Sequence, residues 1–328
     1  MSWLVQPRLV NGPFGDPGLY LDFRHGRRAL LFDLGDLSAL SSRELMRVSH
    51  AFVSHTHMDH FVGFDRLLRV CLHRAAPLSL VGPPDFIDQV ERRIRSYTWN
   101  LLGEDSVPFR IEVAEVHENR VARAASFAAR DAFRRVEAVC SDRPPGIAHM
   151  EEAFTVAFAT LDHGIPSLAF SMREPMSVNV WRGALDTLGV EPGPWLGEAK
   201  RAVRNGGPDT TLIALPDGRL TSLAALKNEV LRIGPGQHIA YVTDAAATPQ
   251  NAERIVALAR GADQLFIEAV FLDADRALAE ATRHLTAGDA GRLARQAGAK
   301  HLRLFHHSAR YLATPDVLAD EARAAFGE

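Results

Sequence analysis

One stretch constrains this chain more than any other. Ala51-Phe-Val-Ser-His-Thr-His-Met-Asp-His60 is an apolar run that ends by presenting His55, His57, Asp59 and His60 within six residues. Imidazole and carboxylate are the ligands a zinc-type ion prefers, and a tight turn after a strand can aim the first two at one point and the last two at another. One turn can therefore hold two metals. Packing explains a single histidine near a strand end, because histidine is intermediate in burial. It does not explain four ligand-type residues set between a strand-like run and the amphipathic run Phe61, Phe64, Leu67, Leu68. Helix capping accounts for Asp59 alone.

Other strand-like runs end in residues of the same kind. Residues 18–34 read as a hairpin with a His25-Gly26 turn, and Asp33 closes its second strand. A short helix over 38–48 leads into the strand before His55. A helix over 59–74, the strand 78–82 and a helix from Pro83-Pro84 to about Tyr97 follow. Farther on, Ala159-Thr-Leu-Asp-His163, Gly236-Gln-His-Ile-Ala-Tyr-Val-Thr-Asp244 and Ala262-Asp-Gln-Leu-Phe-Ile-Glu268 are strands that finish in a ligand-type residue or just before one. His284 precedes a helix over 287–297, and Lys300-His-Leu-Arg-Leu-Phe-His306-His307 ends a last strand. Taken singly, each is an ordinary strand end or loop residue. Together, strand and helix patterns alternate along 1–328 and favour a single α/β unit.

Composition limits the rest. With 47% apolar residues, 328 residues can bury a large core. A formal charge of −3 leaves no global basic footprint, so a nucleic-acid partner would need a local patch. Only Cys71 and Cys140 are present, too few for a disulfide framework, which suits a reducing compartment. The N-terminal residues carry no signal-like segment and no apolar run is long enough to span a bilayer, so the expectation is a soluble cytoplasmic protein with no membrane partner. Two segments stay open. Arg120, Arg123, Arg130, Arg134, Arg135 and Arg143 alternate with Phe127 and Phe133, and are diluted by Glu118, Asp131 and Glu137; this suits either a solvated face or an RNA contact. Between Val178 and Leu223, Gly189-Val-Glu-Pro-Gly-Pro-Trp195, Asn205-Gly-Gly-Pro208 and Pro216-Asp-Gly218 signal an irregular insertion with Lys200, Arg201 and Arg204 close together.

His-Thr-His-Met-Asp-His resembles the HxHxDH signature of the metallo-β-lactamase superfamily, and the later strand ends narrow the resemblance to its ribonuclease Z branch. The resemblance runs from Leu30 to Tyr311. It implies a four-layer αβ/βα sandwich, two β-sheets flanked by helices, with two metal ions at one edge: zinc, or manganese in its place. His55, His57, His163 and Asp244 would hold one ion; Asp59, His60, Asp244 and His306 would hold the other. Asp33 would support the ligand loop. Glu268 and His284 resemble the family's proton-delivering pair, although Ile267 stands where a histidine is usual. Spacing alone leaves His307 open as the ligand in place of His306. The implied reaction is hydrolysis of a phosphodiester by a hydroxide held between the metals, with Asp59 orienting it and His284, assisted by Glu268, protonating the departing oxygen. The implied substrate is precursor transfer RNA processed at its 3′ end, with 178–223 as a protruding arm and a homodimer as the assembly. Val10-Asn-Gly-Pro-Phe-Gly15 and Gly35-Asp-Leu-Ser-Ala-Leu40 depart from the family's loops, and Val242-Thr243 replaces its usual Ser-Gly. A smaller phosphodiester, lactone or thioester is therefore an alternative substrate, and a noncatalytic RNA-binding protein of the same fold is a further one.

Overall fold

The structure, a computed structural model, describes residues 3–24, 26–140 and 142–327. Its first sheet has eight strands in sequence order: Val5–Leu9, Leu19–Phe23, Ala29–Phe32, Val48–Phe52, Leu78–Gly82, Arg110–His117, Arg120–Ala128 and Arg135–Ala138. Leu19–Phe23 and Ala29–Phe32 form the expected antiparallel pair; His25, in the turn between them, lies outside the described residues. The next three neighbours run parallel from Ala29–Phe32 to Arg110–His117, so the loops leaving these strands share one edge. The second sheet is ordered Leu302–Phe305, Gln264–Glu268, His238–Val242, Pro166–Arg173, Thr155–Asp162 and Ile147–Met150. Its first three strands are also parallel and end together.

The central strands of both sheets are covered on both faces, which explains why they read as continuous apolar runs rather than alternating ones. Every residue of Ala29–Phe32 and of His238–Val242 is buried. Between the sheets, Phe32 stacks on Phe170 at 5.4 Å, and Phe52–Phe170 and Phe32–Tyr241 pack at 5.7 Å each. Leu31, Ala51, Val53 and Leu80 share a second core with Leu67 and Leu68 of helix Phe64–Cys71 and Ile87 and Val90 of helix Phe86–Arg95. On the other outer face, Ala240, Val242, Leu265 and Ile267 pack with residues of helices Pro249–Ala259, Ala287–Ala297 and Val317–Phe326. Helix, sheet, sheet, helix is the four-layer order.

Local chemistry sets the element ends. The helix expected over 38–48 is reduced to Ser42–Leu45, opened by a capping box between Ser41 and Glu44. The helix expected over 59–74 is broken into Met58–Phe61 and Phe64–Cys71 at Gly63. A Cβ on Gly63 would lie 2.2 Å from the Gly35 carbonyl oxygen and 2.6 Å from Leu37 Cγ. That approach locks the metal-side turn to the loop after Asp33. Gly63→Ala should therefore cost about 1–3 kcal/mol of stability by overpacking. Chemical denaturation would check it, and an unchanged midpoint would show that the two loops are free to separate. Within residues 108–160, the sequence reads as strands over Phe109–Val116 and Phe154–Leu161, which the structure has at Arg110–His117 and Thr155–Asp162; three further strands lie between them, the Arg-rich run falling in Arg120–Ala128, Arg135–Ala138 and their connections.

The chain divides into two compact units, and the larger holds both sheets. The smaller is built mainly from Arg173–Gln237. In it, strands Met176–Val180 and Leu231–Pro235 pair antiparallel, and Leu212–Ala214 pairs with Leu220–Ser222. Val178, Leu185, Trp195, Val203, Ile213 and Leu226 form a core of its own. The breaker residues fall between its elements: Gly189 ends helix Arg182–Leu188 at φ +68°, and Gly193 caps helix Pro194–Arg204 with Pro194 in its first turn.

Candidate metal centre

The C-terminal ends of the parallel strands deliver the ligand-type residues to one place. Asp33 follows Ala29–Phe32, the His55–His60 turn follows Val48–Phe52, Asp244 follows His238–Val242, Glu268 ends its strand and His306 follows Leu302–Phe305. His55, His57, His163 and Asp244 each offer an atom within 4.8 Å of the others, and so do Asp59, His60 and His306. Asp244 faces both groups. Its Oδ2 lies 3.7 Å from His55 Nε2 and 3.5 Å from His163 Nε2, while its Oδ1 lies 3.3 Å from His60 Nε2 and 3.2 Å from His306 Nδ1. Asp59 Oδ2 closes the second group at 3.5 Å from His60 Nε2 and 3.1 Å from His306 Nε2. Glu268 and His284 also gather around Asp244 and His306.

Behind the ligand atoms, hydrogen bonds fix which ring nitrogen faces inward. Asp33 accepts from the Ser54 amide (2.7 Å), the Ser54 hydroxyl (3.0 Å), the Tyr241 hydroxyl (2.9 Å) and His60 Nδ1 (2.9 Å). Because Ser54 donates to Asp33, its oxygen is left to accept from His55 Nδ1 at 3.0 Å. His163 Nδ1 donates to the Arg283 carbonyl, and His284 Nδ1 donates to Glu268 Oε2, both at 2.8 Å. Each of these four rings thus has Nδ1 engaged, which in His55, His60 and His163 leaves Nε2 free to ligate. Asp33 and His306 both adopt left-handed backbone, with φ +59°. Non-glycine residues held there are costly, and they concentrate where a site dictates side-chain direction.

The donor set fits a divalent ion. His55 Nε2, His60 Nε2 and His306 Nδ1 are buried and make no hydrogen bond. Buried polar atoms left this way in a native protein ask for a partner, and a cation at each of the two groups would satisfy them. Protonation tells the same story. Burial, reinforced by the neighbouring imidazoles, pushes His55 down to about 2, so it is a neutral donor. Burial also opposes charge on His306, but Asp244, the hydrogen bond to Asp59 and the nearby Glu268 carboxylate outweigh it and raise the ring to about 10. His60 is raised in the same way by Asp244 and Asp33. A divalent ion would take over that positive charge and release those protons.

These shifts define a pH dependence for protein stripped of metal with a chelator. His306, raised from 6.5 to about 10, contributes stability that is complete below about 6.5 and is lost as pH climbs toward 10. His55, lowered from 6.5 to about 2, contributes stability that is complete above 6.5 and is lost as pH falls toward 2. The stripped protein should therefore unfold at its highest temperature near neutrality and lose Tm on both sides. Thermal scans from acid to alkaline pH check this, and metal should restore the alkaline limb. A Tm of the stripped protein that climbs steadily above neutrality would contradict the assignment.

Comparison with known proteins is consistent with this geometry. The profile of the β-lactamase superfamily domain matches residues 220–307. A ribonuclease Z from Deinococcus radiodurans is 32% identical over 320 residues, covering 94% of this chain and 91% of that protein. The chain belongs to the ribonuclease Z family. Another ribonuclease Z, from Nocardia farcinica, is 31% identical over 318 residues, with 93% and 86% coverage. Among solved structures, a metallo-β-lactamase fold protein from Bacillus subtilis superposes with a TM-score of 0.55 at 15% identity, covering 98% and 94% of the two chains. Human tRNase Z, short form, gives 0.50 at 19%, covering 94% and 91%. These two share the fold. As a ribonuclease Z family member of metallo-β-lactamase fold, the protein is a metal-dependent hydrolase.

Within this ribonuclease Z family member, several sequence expectations acquire a physical position. His307 turns away from the ligand groups: its Nδ1 donates to the Ala269 carbonyl at 2.8 Å, and its ring meets Phe14 edge-on at 5.2 Å. Thr243, a departure from the family pattern, donates its hydroxyl to Asp244 Oδ1 at 2.8 Å. The two altered loops are tied together behind Asp59, with Asn11 Nδ2 donating at 2.9 Å to the carbonyls of both Asp16 and Asp36. Sequence reading missed Ser54 and Tyr241. The serine sits next to a ligand and could have been singled out; the tyrosine reaches Asp33 across the sheets and gives no local signal. Part of the Arg-rich run is compensated. Arg123 pairs with Glu115 at 3.2 Å, and Arg135 with Asp88 at 2.6 Å and Glu91 at 3.2 Å. In the smaller unit, Arg204 lies 3.5 Å from Glu174 and Lys200 is half-buried, while Arg201 is exposed. Trp181, 53% exposed, stands under the Arg232 guanidinium at 4.9 Å.

Proposed function

We propose that this protein hydrolyses the phosphodiester at the 3′ side of the discriminator base of precursor transfer RNA, leaving a 3′ hydroxyl. The observation that carries the reading is the His284–Glu268 pair beside a carboxylate, Asp244, that faces two ligand groups at once, in a chain whose relatives are ribonucleases Z. His55, His57, His163 and Asp244 would hold one ion, and Asp59, His60, Asp244 and His306 the other. Zinc suits the imidazole-rich first group, with manganese the alternative. When bound, two such ions lower the pKa of water and neutralise charge that builds on phosphoryl oxygens.

The chain's own residues supply the rest. Burial opposes charge on His284, but Glu268 overcomes it and raises the ring's affinity for a proton. Glu268 is itself fixed by the Ala245 amide at 2.8 Å and the Leu285 amide at 3.3 Å. His284 can then give its Nε2 proton to the departing 3′ oxygen. Burial would raise Asp59, but its hydrogen bond to His306 and the nearby imidazoles bring it down to about 2, so it is an anionic acceptor that orients the attacking water. The Arg173–Gln237 unit, which includes 178–223, would serve as the arm that holds the RNA, with Trp181 and Arg232 offering a stacking platform and Arg201 a phosphate contact. The whole chain would act as one metallo-β-lactamase module, as a homodimer in the cytoplasm.

A second reading, a smaller phosphodiester, is favoured by one observation. Lys200 and Arg204, two of the three basic residues expected on the arm, are half-buried and Arg204 is already paired. One experiment separates the readings. Protein loaded with zinc or manganese is given a precursor transfer RNA with a 3′ trailer and, separately, bis(p-nitrophenyl) phosphate, with Asp59→Ala as control. A single cut after the discriminator base, absent in the variant, is the expected result. Hydrolysis of the small ester alone would move the substrate to small phosphodiesters. Less than one bound ion per chain would leave a noncatalytic RNA-binding protein.

A further inference from the structure

The first sheet extends past the second, and the overhang creates a cavity. The second sheet stops at Ile147–Met150, while the first continues through Arg110–His117, Arg120–Ala128 and Arg135–Ala138. On that uncovered face, the register places Ala114, Ala124 and Ala138 side by side, with Ser126 opposite Glu112 on neighbouring strands. Small side chains leave room. The resulting cavity has a volume of about 380 Å³, within the range of small-ligand sites. None of its lining residues belongs to the groups of candidate metal ligands, so the cavity is a separate site.

One wall of this cavity gathers two imidazoles and a guanidinium, those of His50, His149 and Arg143. The rings of His50 and His149 are 4.2 Å apart, and Arg28 Nη2 approaches His50 Nδ1 at 3.3 Å. Arg143, half-buried, donates to the Ala148 carbonyl and has no carboxylate within ion-pair reach among the described residues. Burial lowers its guanidinium from the usual range, the sign of a cation short of compensation. Glu112, the carboxylate on the lining, is already engaged by Arg110 at 3.4 Å and by the Ser79 hydroxyl at 3.3 Å. Arg143 is therefore the charge of the lining that an anion from outside can meet.

We propose that this cavity binds a small organic anion, a phosphomonoester or a carboxylate, whose oxyanion head pairs with Arg143 beside His149 while its flat body lies on Ala114, Ala124 and Ala138. A guanidinium presents a planar fork that matches either head group with two parallel hydrogen bonds. The alanine floor offers apolar contact over an area that any larger side chain would fill. The site is separate from the metal centre, and it does not depend on which phosphodiester that centre cleaves.

Cys140 provides a local reporter. It lines the cavity and is partly accessible, whereas Cys71, the other cysteine, is fully buried. In the native metal-loaded chain, maleimide should therefore label Cys140 alone. The probes are adenosine 5′-monophosphate, benzoate and orthophosphate, each at millimolar concentration. A phosphomonoester or carboxylate in about tenfold excess over its Kd should slow labelling about tenfold. Protection by the nucleotide and not by benzoate assigns the phosphomonoester, and the reverse assigns the carboxylate. Arg143→Gln and, independently, Ala124→Phe should each abolish protection while leaving metal content unchanged. Labelling unaffected by both organic anions, protection by orthophosphate alone, or protection that survives both substitutions would overturn the proposal.

Discussion

Replacing Asp244 with asparagine is expected to reduce bound metal to one ion or fewer per chain and to lower phosphodiester hydrolysis by at least about 10²–10³-fold. The reason lies in how the carboxylate is divided. One oxygen faces His55 and His163, the other faces His60 and His306. An amide keeps one oxygen and turns the other into a donor that cannot ligate, so one group loses its anionic member whichever way the side chain flips. Burial disfavours the Asp244 charge, yet His60 and His306 hold its carboxyl well below the usual carboxylate range. Removing that charge takes from His60 and His306 the carboxylate they share and leaves them Asp33 and Asp59 as partners, so stability should fall as well. Metal analysis and thermal unfolding should move together with activity. A variant with two ions and unaltered turnover would falsify the bridging role.

His284→Gln should behave differently, and the contrast makes it informative. Metal content should stay at the wild-type level, because His284 belongs to neither set of proposed ligands. Turnover on RNA should drop by about 10²–10⁴-fold, the usual worth of a positioned general acid. Hydrolysis of bis(p-nitrophenyl) phosphate should fall far less, since its leaving group departs without a proton. Equal losses on both substrates would show that His284 positions the substrate instead of protonating it. The neighbouring carboxylate gives a pH test. Burial alone would lower His284, and Glu268 raises it. An acid must be protonated to act, so activity is lost as pH rises through its pKa. Glu268→Gln lowers that pKa and should shift the alkaline limb of the pH–rate profile to lower pH; a limb that stays in place would assign it to another group.

What could be read from the sequence depended on how locally each feature is encoded. The strand 78–82 and the helix 287–297 match the observed elements residue for residue, because turn residues and caps bound them. The hairpin and the strands leading to Asp244 and Glu268 are placed within one or two residues. The helix expected over 59–74 reads as continuous because nothing within the run shows that Gly63 must touch the Gly35 carbonyl, nearly thirty residues earlier. The same holds at the site. His55, His57, Asp59 and His60 announce themselves by density. His163, Asp244 and His306 are single residues at strand ends, and needed a family pattern to be singled out. Tyr241 is a core strand residue by every local criterion, and its hydroxyl becomes visible only when the second sheet lies over Asp33. Paired arginines such as Arg123 and Arg135 look like a basic surface in sequence because their acidic partners come from other strands and a helix.

The division of Asp244 between two ligand groups also bears on how the protein is made. One cluster of ligands is translated by residue 60, the next contributions arrive at 163 and 244, and the second group is completed only at His306. Because Asp244 and His306 are supplied by parallel strands of one sheet, neither can be positioned before that sheet has assembled. Synthesis or proteolysis that stops short of residue 306 therefore yields a fragment with the early histidines but no complete second group. With these residues as the ligands, their order along the chain would keep a hydrolase of this design inert until nearly all of it has folded.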